Sequence, residues 1–530
     1  MNESSDQSQA ADRVAPKPAD SPLPSDAGTG HDAHTRDAAA IAPLVPVQSA
    51  GAQFLTVFPP IMLPMFLAVA DQTIVATALP AIASSLGDIE RASWVVVSYL
   101  IANTIAAPVY GRLGDTFGRR LMMFVALGIF MAGSVLCALA PSILMLTAFR
   151  VVQGFGGGGL MTLSQALIGE AVPPRERARY QGYIAAVAVS ANTFGPVAGG
   201  YLTEHFGWRS IFLINLPIGL IAYALTFRLP ARAVLTEKWR ADPGGFIFFT
   251  IFVTTTLLAL EQLQHARMDA LPLGLAMLVV GVIAVVLLVR HESRAASPLI
   301  PLNLLRQPAI WHSDATAACH GGALVSLITF LPVFLEVVRG ASPSETGLIL
   351  VPLTIGIGAG SLITGRMVSK TGRTTIFQVL GLTLVTLNLL VLAIWADTIG
   401  TTALALLLLW NGLFMGTVMG VVQVTVQSAA GNARLGEAAA SVQFSRSIGA
   451  GFGTALVATV LFAALSLRNP EAARLFTALV EHGQAPVLDP AHRAAVRGDI
   501  VDAFRIAFML MAGFTAGGCV LSWTNPLRRI

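Results

Sequence analysis

Charge is scarce in this chain of 530 residues. Asp, Glu, Lys and Arg together make 12% against 55% hydrophobic residues, and the mean hydropathy is +0.71, outside the range of soluble globular proteins. That shortage excludes a water-soluble fold and identifies a membrane protein. Cysteine is scarcer still: Cys137, Cys319 and Cys519 are the three, each inside an apolar run. They read as small packing residues, with no disulfide or metal site expected. The first fifty residues lack the basic start and apolar run of a secretory signal, so the first apolar run is expected to serve as an uncleaved insertion signal. Residues 1–50, centred on DSPLPSDAGTGHDAHTRDAAA, are too poor in apolar residues to pack and predict a disordered cytoplasmic tail. The run GFGGGG at 154–159 lacks the preceding strand and the following Lys-Ser/Thr pair of a phosphate-binding loop. Nucleotide is therefore excluded as an energy source within this chain, and no cofactor is expected; an ion gradient, or the substrate's own, must serve.

What the chain has in abundance is apolar runs. A helix needs roughly 20 apolar residues to cross the ~30 Å hydrocarbon layer, and fourteen runs qualify: 55–82, 93–111, 121–140, 142–169, 181–203, 208–229, 243–263, 271–290, 309–335, 345–367, 374–395, 400–429, 438–465 and 501–523. They are continuous rather than alternating, which predicts helices and not a barrel. An even number of spans puts both termini on one side. One set of loops holds Arg112, Arg119 and Arg120, then Arg175, Arg177 and Arg179, Arg228, Arg232, Lys238 and Arg240, Arg290, Arg294 and Arg306, Arg366, Lys370 and Arg373, and Arg528 and Arg529. The short loops opposite hold only Arg91, Arg209, Arg267 and Arg339, and the long loop 466–500 is mixed in charge. By the positive-inside rule both termini are expected in the cytoplasm. The net charge of +4 follows from this bias rather than from nucleic-acid binding.

The most polar short run, GRLGDTFGRR from Gly111 to Arg120, returns as GRMVSKTGRT from Gly365 to Thr374. Both copies fall in cytoplasmic joints, after spans two and ten, so the chain contains a duplication; two bundles related by a parallel repeat are a layout of rocking transporters. Gly111 and Gly118 permit a tight reversal, while Asp115 suits a helix N-terminus and pairing with Arg112 or Arg119. Such a latch, made in one conformation and broken in the other, would set the balance between states; the plainer alternative is a topology anchor. In the second copy Gly365, Arg366, Gly372 and Arg373 recur, but Ser369 stands where the first copy has Asp115.

The frame Gly111–Arg120 resembles the loop signature of the major facilitator superfamily. Arg150-Val-Val-Gln-Gly154 resembles that superfamily's fourth-helix motif, and Gly195-Pro196-Val-Ala-Gly199-Gly200 the fifth-helix signature of its antiporters. The stretches Ala70–Pro80 and Trp208–Gly219 are similar to the first and sixth helices of the fourteen-spanner drug:proton antiporters of the EmrB/QacA type. The resemblance implies an all-α polytopic membrane protein of the major facilitator fold. Its parts would be an N-terminal six-helix bundle over 51–230, an inserted helix pair with its linkers over 231–308, and a C-terminal six-helix bundle over 309–525 that includes a periplasmic loop at 466–500. It also implies location in the inner membrane, export of amphiphilic and often cationic small molecules in exchange for protons, a part in antibiotic resistance, and a periplasmic adaptor of the kind some relatives use.

Ionisable residues within spans are costly, at ~2.5–3.5 kcal/mol or more, and mark where coupling is expected. Asp71, near the middle of span one, is the foremost candidate, because one carboxylate can hold either a proton or a cationic ligand. A structural hydrogen bond to Thr73 or Thr77 is its alternative reading. Asp314, Glu261 and Glu336 follow, with solvation at the interface as their alternative. Arg150 is expected to bridge polar groups near the cavity, and Arg446 to be mainly structural. Gly195, Pro196, Gly199 and Gly200 give close helix packing or a bend. His312 and His320 do not share a helix face with Asp314, so a metal site there is not expected. Uptake by symport and a non-transporting membrane sensor or scaffold are the rival functions; no nucleophile or paired-carboxylate motif suggests an enzyme.

Overall fold

The computed structural model describes residues 50–88, 91–229, 242–264, 271–295, 297–300, 302–482 and 490–530. The expected tail over 1–50 lies almost wholly outside the described residues, as do Arg232, Lys238, Arg240 and Arg267. Among the described residues all regular structure is helical, apart from one isolated bridge between Arg373 and Arg529. That is the form in which a chain surrounded by lipid satisfies its backbone within each segment.

The first helices are α1 (Ala50–Leu86), α2 (Ala92–Phe117), α3 (Arg119–Ala138), α4 (Ile143–Ala171), α5 (Pro174–Phe206), α6 (Ser210–Leu213) and α7 (Asn215–Thr226). Then come α8 (Pro243–Gln264), α9 (Leu271–Glu292) and the short α10 (Leu302–Leu305). The rest are α11 (Pro308–Arg339), α12 (Pro343–Thr371), α13 (Thr375–Trp395), α14 (Thr401–Ala430), α15 (Leu435–Arg468), α16 (Pro470–His482) and α17 (Pro490–Trp523). Local chemistry sets many of these limits. Ser142 caps α4 by accepting from the Met145 amide, Ser342 and Glu345 form a reciprocal capping box on α12, and Gly340 and Gly372 close α11 and α12 in the left-handed conformation.

Twelve of these helices are long and apolar enough to cross a membrane. Two of the fourteen expected spans are helical but outside that group. The run 181–203 lies within α5, whose first turns are charged, and 208–229 is split at Ile214 into α6 and α7, leaving a Ser210–Thr226 stretch too short to qualify. Much of the expected loop 466–500 is also helical: α16 and the start of α17 occupy it, joined where Asn469 donates to Asp499 at 2.8 Å.

Helices α1 to α7 pack round cores that include Met65, Tyr110, Phe130 and Leu163 in one cluster and Ile74, Leu146 and Phe212 in another. Helices α11 to α17 pack round Phe334, Leu389, Phe504 and Phe508, with edge-to-face rings at 5.3 and 5.6 Å. Helix α8 leans on α15 and α2, and α9 packs on α8; Phe249, Leu257, Leu288 and Ile105 share the core between them. The two groups meet along α2 against α15 and α5 against α12.

The glycines of GFGGGG bring α4 into close contact with two neighbouring helices. A Cβ on Gly158 would lie 2.3 Å from the Asn103 carbonyl oxygen of α2, and one on Gly156 would lie 2.5 Å from the Phe130 amide nitrogen of α3. The run is thus a packing face that lets α4 sit against two neighbours at once. Gly158→Ala is expected to lower stability by about 1–3 kcal/mol, the range for overpacking, read as a lower Tm in detergent. An unchanged Tm would mean that α2 and α4 are not held this closely.

Candidate functional site

Asp71 sits near the middle of α1, 1% exposed, and it is not bonded to Thr73 or Thr77. Those hydroxyls donate to carbonyls of Ala70 and Ile74 in their own helix, and they fill the space left on α5 by Gly195 and Gly199, where a Cβ would lie 1.9 Å from Thr73 Oγ1 and 2.3 Å from Thr77 Oγ1. Pro196 and Gly200, the other half of that motif, face away and are exposed.

The carboxylate instead closes a buried network. Its Oδ2 accepts from Arg150 Nη1 at 2.5 Å, and its Oδ1 accepts from Gln153 Nε2 at 2.9 Å and Asn215 Nδ2 at 2.7 Å. Ser134 Oγ accepts from both amides, at 2.8 and 3.3 Å. Arg150, also 1% exposed, donates from Nε to the Val95 carbonyl and from Nη1 to Gln153 Oε1, and its guanidinium carbon lies 4.1 Å from the Tyr99 ring centroid. Five helices, α1 to α4 and α7, therefore converge on one ion pair. Such a buried pair is held by complete hydrogen bonding, and removing one partner leaves an uncompensated charge. Gln153, Asn215 and Ser134 were not among the sequence candidates.

Asp115 lies between the two groups, on α2 against α15. Its carboxylate accepts from the Gly436 amide at 2.9 and 3.1 Å and from the Glu437 amide at 3.1 Å, so a residue of α2 caps the N-terminus of α15, where unpaired amides and the helix dipole favour an anion. Arg119 pairs with both Asp115 and Glu170, and Arg112 stands 3.5 Å from Glu437 while donating to the Pro298 carbonyl. Gly111 lets the backbones touch, since a Cβ there would lie 2.6 Å from the Gly436 carbonyl oxygen. Gly118, at φ +93°, makes the reversal from α2 to α3. Arg120 makes no ion pair among the described residues; its guanidinium lies over Phe124 at 5.9 Å. Two more bonds cross between the groups on the same side, Arg177 to Asn432 and Gln427 to the Gln165 carbonyl, both at 2.9 Å.

The second frame repeats the backbone contact but not the anion. A Cβ on Gly365 would lie 2.3 Å from the Ala178 carbonyl oxygen of α5, matching Gly111 on α15. Beyond it, Gly372 and Thr374 bond to Ile530 and Arg528, which ties the turn and Arg373 to the end of the chain, while Arg366 joins no ion pair among the described residues.

The other ionisable candidates stay apart from Asp71. Asp314, 6% exposed on α11, accepts from Ser441 at 3.4 Å through Oδ1. Glu261 is half-buried near the end of α8, and Glu336 is exposed near the end of α11. Arg446 donates to Gln443 at 3.3 Å within α15. His312 bonds to the Pro308 carbonyl and His320 to the Met415 carbonyl, so neither histidine bonds to Asp314.

A family model described as Major Facilitator Superfamily matches residues 61–454. The chain belongs to that superfamily. Membership places it among transporters rather than enzymes. An MFS-type transporter of Mycobacterium tuberculosis (strain ATCC 25618 / H37Rv) is 33% identical over 401 residues, covering 75% of this chain and 58% of that protein; the chain thus matches under two thirds of this relative's length. Multidrug transporter protein MdtP of Bacillus subtilis (strain 168) is 32% identical over 409 residues, covering 76% of this chain and 74% of that protein. Among solved structures, the human organic anion transporter MFSD10 (TETRAN) superposes with a TM-score of 0.60 at 13% identity, over 90% of this chain and 100% of that one. The proton:xylose symporter XylE gives 0.59 at 14%, over 90% and 96%; both likenesses speak for the fold alone.

Proposed function

We propose that this chain is a proton-coupled exporter of small amphiphilic, often cationic molecules, working by alternating access as a fourteen-helix antiporter of the EmrB/QacA type. The observation that carries the reading is the buried Asp71–Arg150 pair, a carboxylate whose protonation would cancel one charge of a closed network inside a transporter. A proton reaching Asp71 releases Arg150 to its remaining acceptors, Gln153 and the Val95 carbonyl, and the five helices repack. Relatives named as multidrug transporter and efflux pump support the direction of transport.

In this reading α5 crosses the membrane despite its polar first turns, since it packs along α1 and α12, and α6 with α7 crosses as one broken helix. The Arg-rich joints then face the cytoplasm of an inner-membrane protein. The closed contacts round Asp115 make the described state outward-facing, and a periplasmic adaptor could be joined on the far side. Exchange of one proton for one monovalent cation moves no net charge; a second titrating carboxylate such as Asp314, Glu261 or Glu336 would let the membrane potential add ~2.3 kcal/mol per 100 mV.

The test uses inverted vesicles holding a set pH gradient, challenged with a panel of lipophilic cations. Substrate-induced collapse of the gradient is the expected result. A panel in which no cation moves protons would sink the export of cations and favour an anionic or neutral substrate.

A further inference from the structure

A cavity of about 400 Å³ that none of the Asp71-network residues lines is bounded by α8, α9, α10, α11 and α15, with Pro108 of α2. Its wall is almost entirely apolar, with Phe252, Phe444 and Trp311 among its rings, and among the described residues no Lys or Arg lines it. Three carboxylates nonetheless line it, Asp314, Glu292 and Glu437, and the first two each have an oxygen without a partner. Asp314 has one oxygen bonded to Ser441 and the other, Oδ2, without a partner. Glu292, 4% exposed at the end of α9, has Oε1 accepting from the Ile300 amide at 3.3 Å and Oε2 without a partner. Buried carboxylate oxygens are normally hydrogen-bonded or paired, so two unmatched ones in a space of ligand size ask for positive charge.

A hydrated metal ion suits this space poorly, because the wall offers aromatic and aliphatic surface rather than further oxygens. An organic cation with an apolar body satisfies both features, its charge on the carboxylates and its body on the rings. Val289 and Trp311 are 44% and 51% exposed at the cavity, on helices whose outer faces are apolar, which opens this space toward the bilayer. We propose that this cavity is a binding site for a lipophilic organic cation drawn from the membrane and held by Asp314 and Glu292. Glu437 also lines it, and Glu437 is the partner of Arg112 in the latch; an occupant therefore competes with Arg112 for that carboxylate and loosens the contact between α2 and α15. The proposal rests on the export reading for its substrate class, but it concerns a place on this chain that can be tested separately.

Binding of tetraphenylphosphonium and of its anionic counterpart of like shape, tetraphenylborate, would be measured on the full chain in lipid nanodiscs. The wild type is expected to prefer the cation, and Asp314→Asn with Glu292→Gln is expected to weaken cation binding about 30-fold or more, the scale for losing a buried charge partner. Ala315→Leu keeps both carboxylates and occupies the space, so it too should weaken binding, which separates loss of the site from loss of the fold. Equal affinity for the cation in wild type and double variant overturns the site while leaving export of cations standing. Binding that depends on the two carboxylates in a protein that moves no protons in the vesicle assay upholds the site and overturns the export reading. A wild type that does not bind the cation, or binds the borate equally well, overturns the site.

Discussion

Asp71→Asn is expected to bring substrate-driven proton movement in inverted vesicles down to the level of vesicles without the protein, and to destabilise the chain as well. The side chain keeps its shape, and its remaining oxygen can still accept from Gln153 and Asn215. What replaces Oδ2 is an amide donor, facing Arg150 Nη1 where the wild type has an acceptor at 2.5 Å. Arg150 then remains as a buried cation with no counter-charge, a loss of about 3–5 kcal/mol. Two effects are therefore superimposed, and a second variant separates them. Adding Arg150→Gln removes the orphaned cation, so the double variant should regain much of the lost thermal stability yet still move no protons. If the double variant recovers proton movement, or if Asp71→Asn alone retains it, the coupling carboxylate lies elsewhere and Asp314 becomes the next to replace.

Asp71 was legible in the sequence because a lone carboxylate in an apolar run is costly and conspicuous. Its partners were not. Arg150 stood out for the same reason, but 79 residues separate the two, and no local spacing shows which charges meet. Gln153 and Asn215 lay inside stretches already noted for their motifs, yet a neutral amide gives far less sign of burial than a charge does. The latch shows the same division. The frame Gly111–Arg120 announced a tight turn and an anion suited to a helix N-terminus, but the amides that Asp115 accepts from belong to α15, 321 and 322 residues on. The helices were legible from run length alone, as twelve of the fourteen runs correspond to helices able to cross a membrane. Of the other two, 181–203 is the less apolar, and 208–229 is apolar but broken into pieces too short to cross. The segment α5 carries Gln181 and Gly182 at its contact with the second group, and α7 spends a position on Asn215 for the Asp71 network. The role of GFGGGG was hidden because a glycine face has meaning only when its neighbours, here α2 and α3, are known.

Asp115→Ala is expected to tilt the transporter away from the described state, in which the two groups are closed on the charged-loop side. The substitution removes an acceptor from two amides of the first turn of α15 and one of the two counter-charges of Arg119. A helix cap contributes about 0.5–2 kcal/mol and a hydrogen bond to a charged group about 1.5–3 kcal/mol. A net loss of about 2–3 kcal/mol shifts a two-state balance about 30- to 150-fold, enough to change which conformation dominates. Spin labels at Leu121 and Ala433, both exposed beside the contact, would report it in a chain freed of its three native cysteines. The wild type should give mainly one short distance, and Asp115→Ala a longer one. Ser369→Ala in the second frame should leave the distances as they are, because that turn is held by the backbone of Arg528 and Ile530 rather than by an anion. A short distance that persists in Asp115→Ala would show that backbone contact between Gly111 and Gly436 is sufficient to hold the groups together, leaving the carboxylate no part in setting the balance.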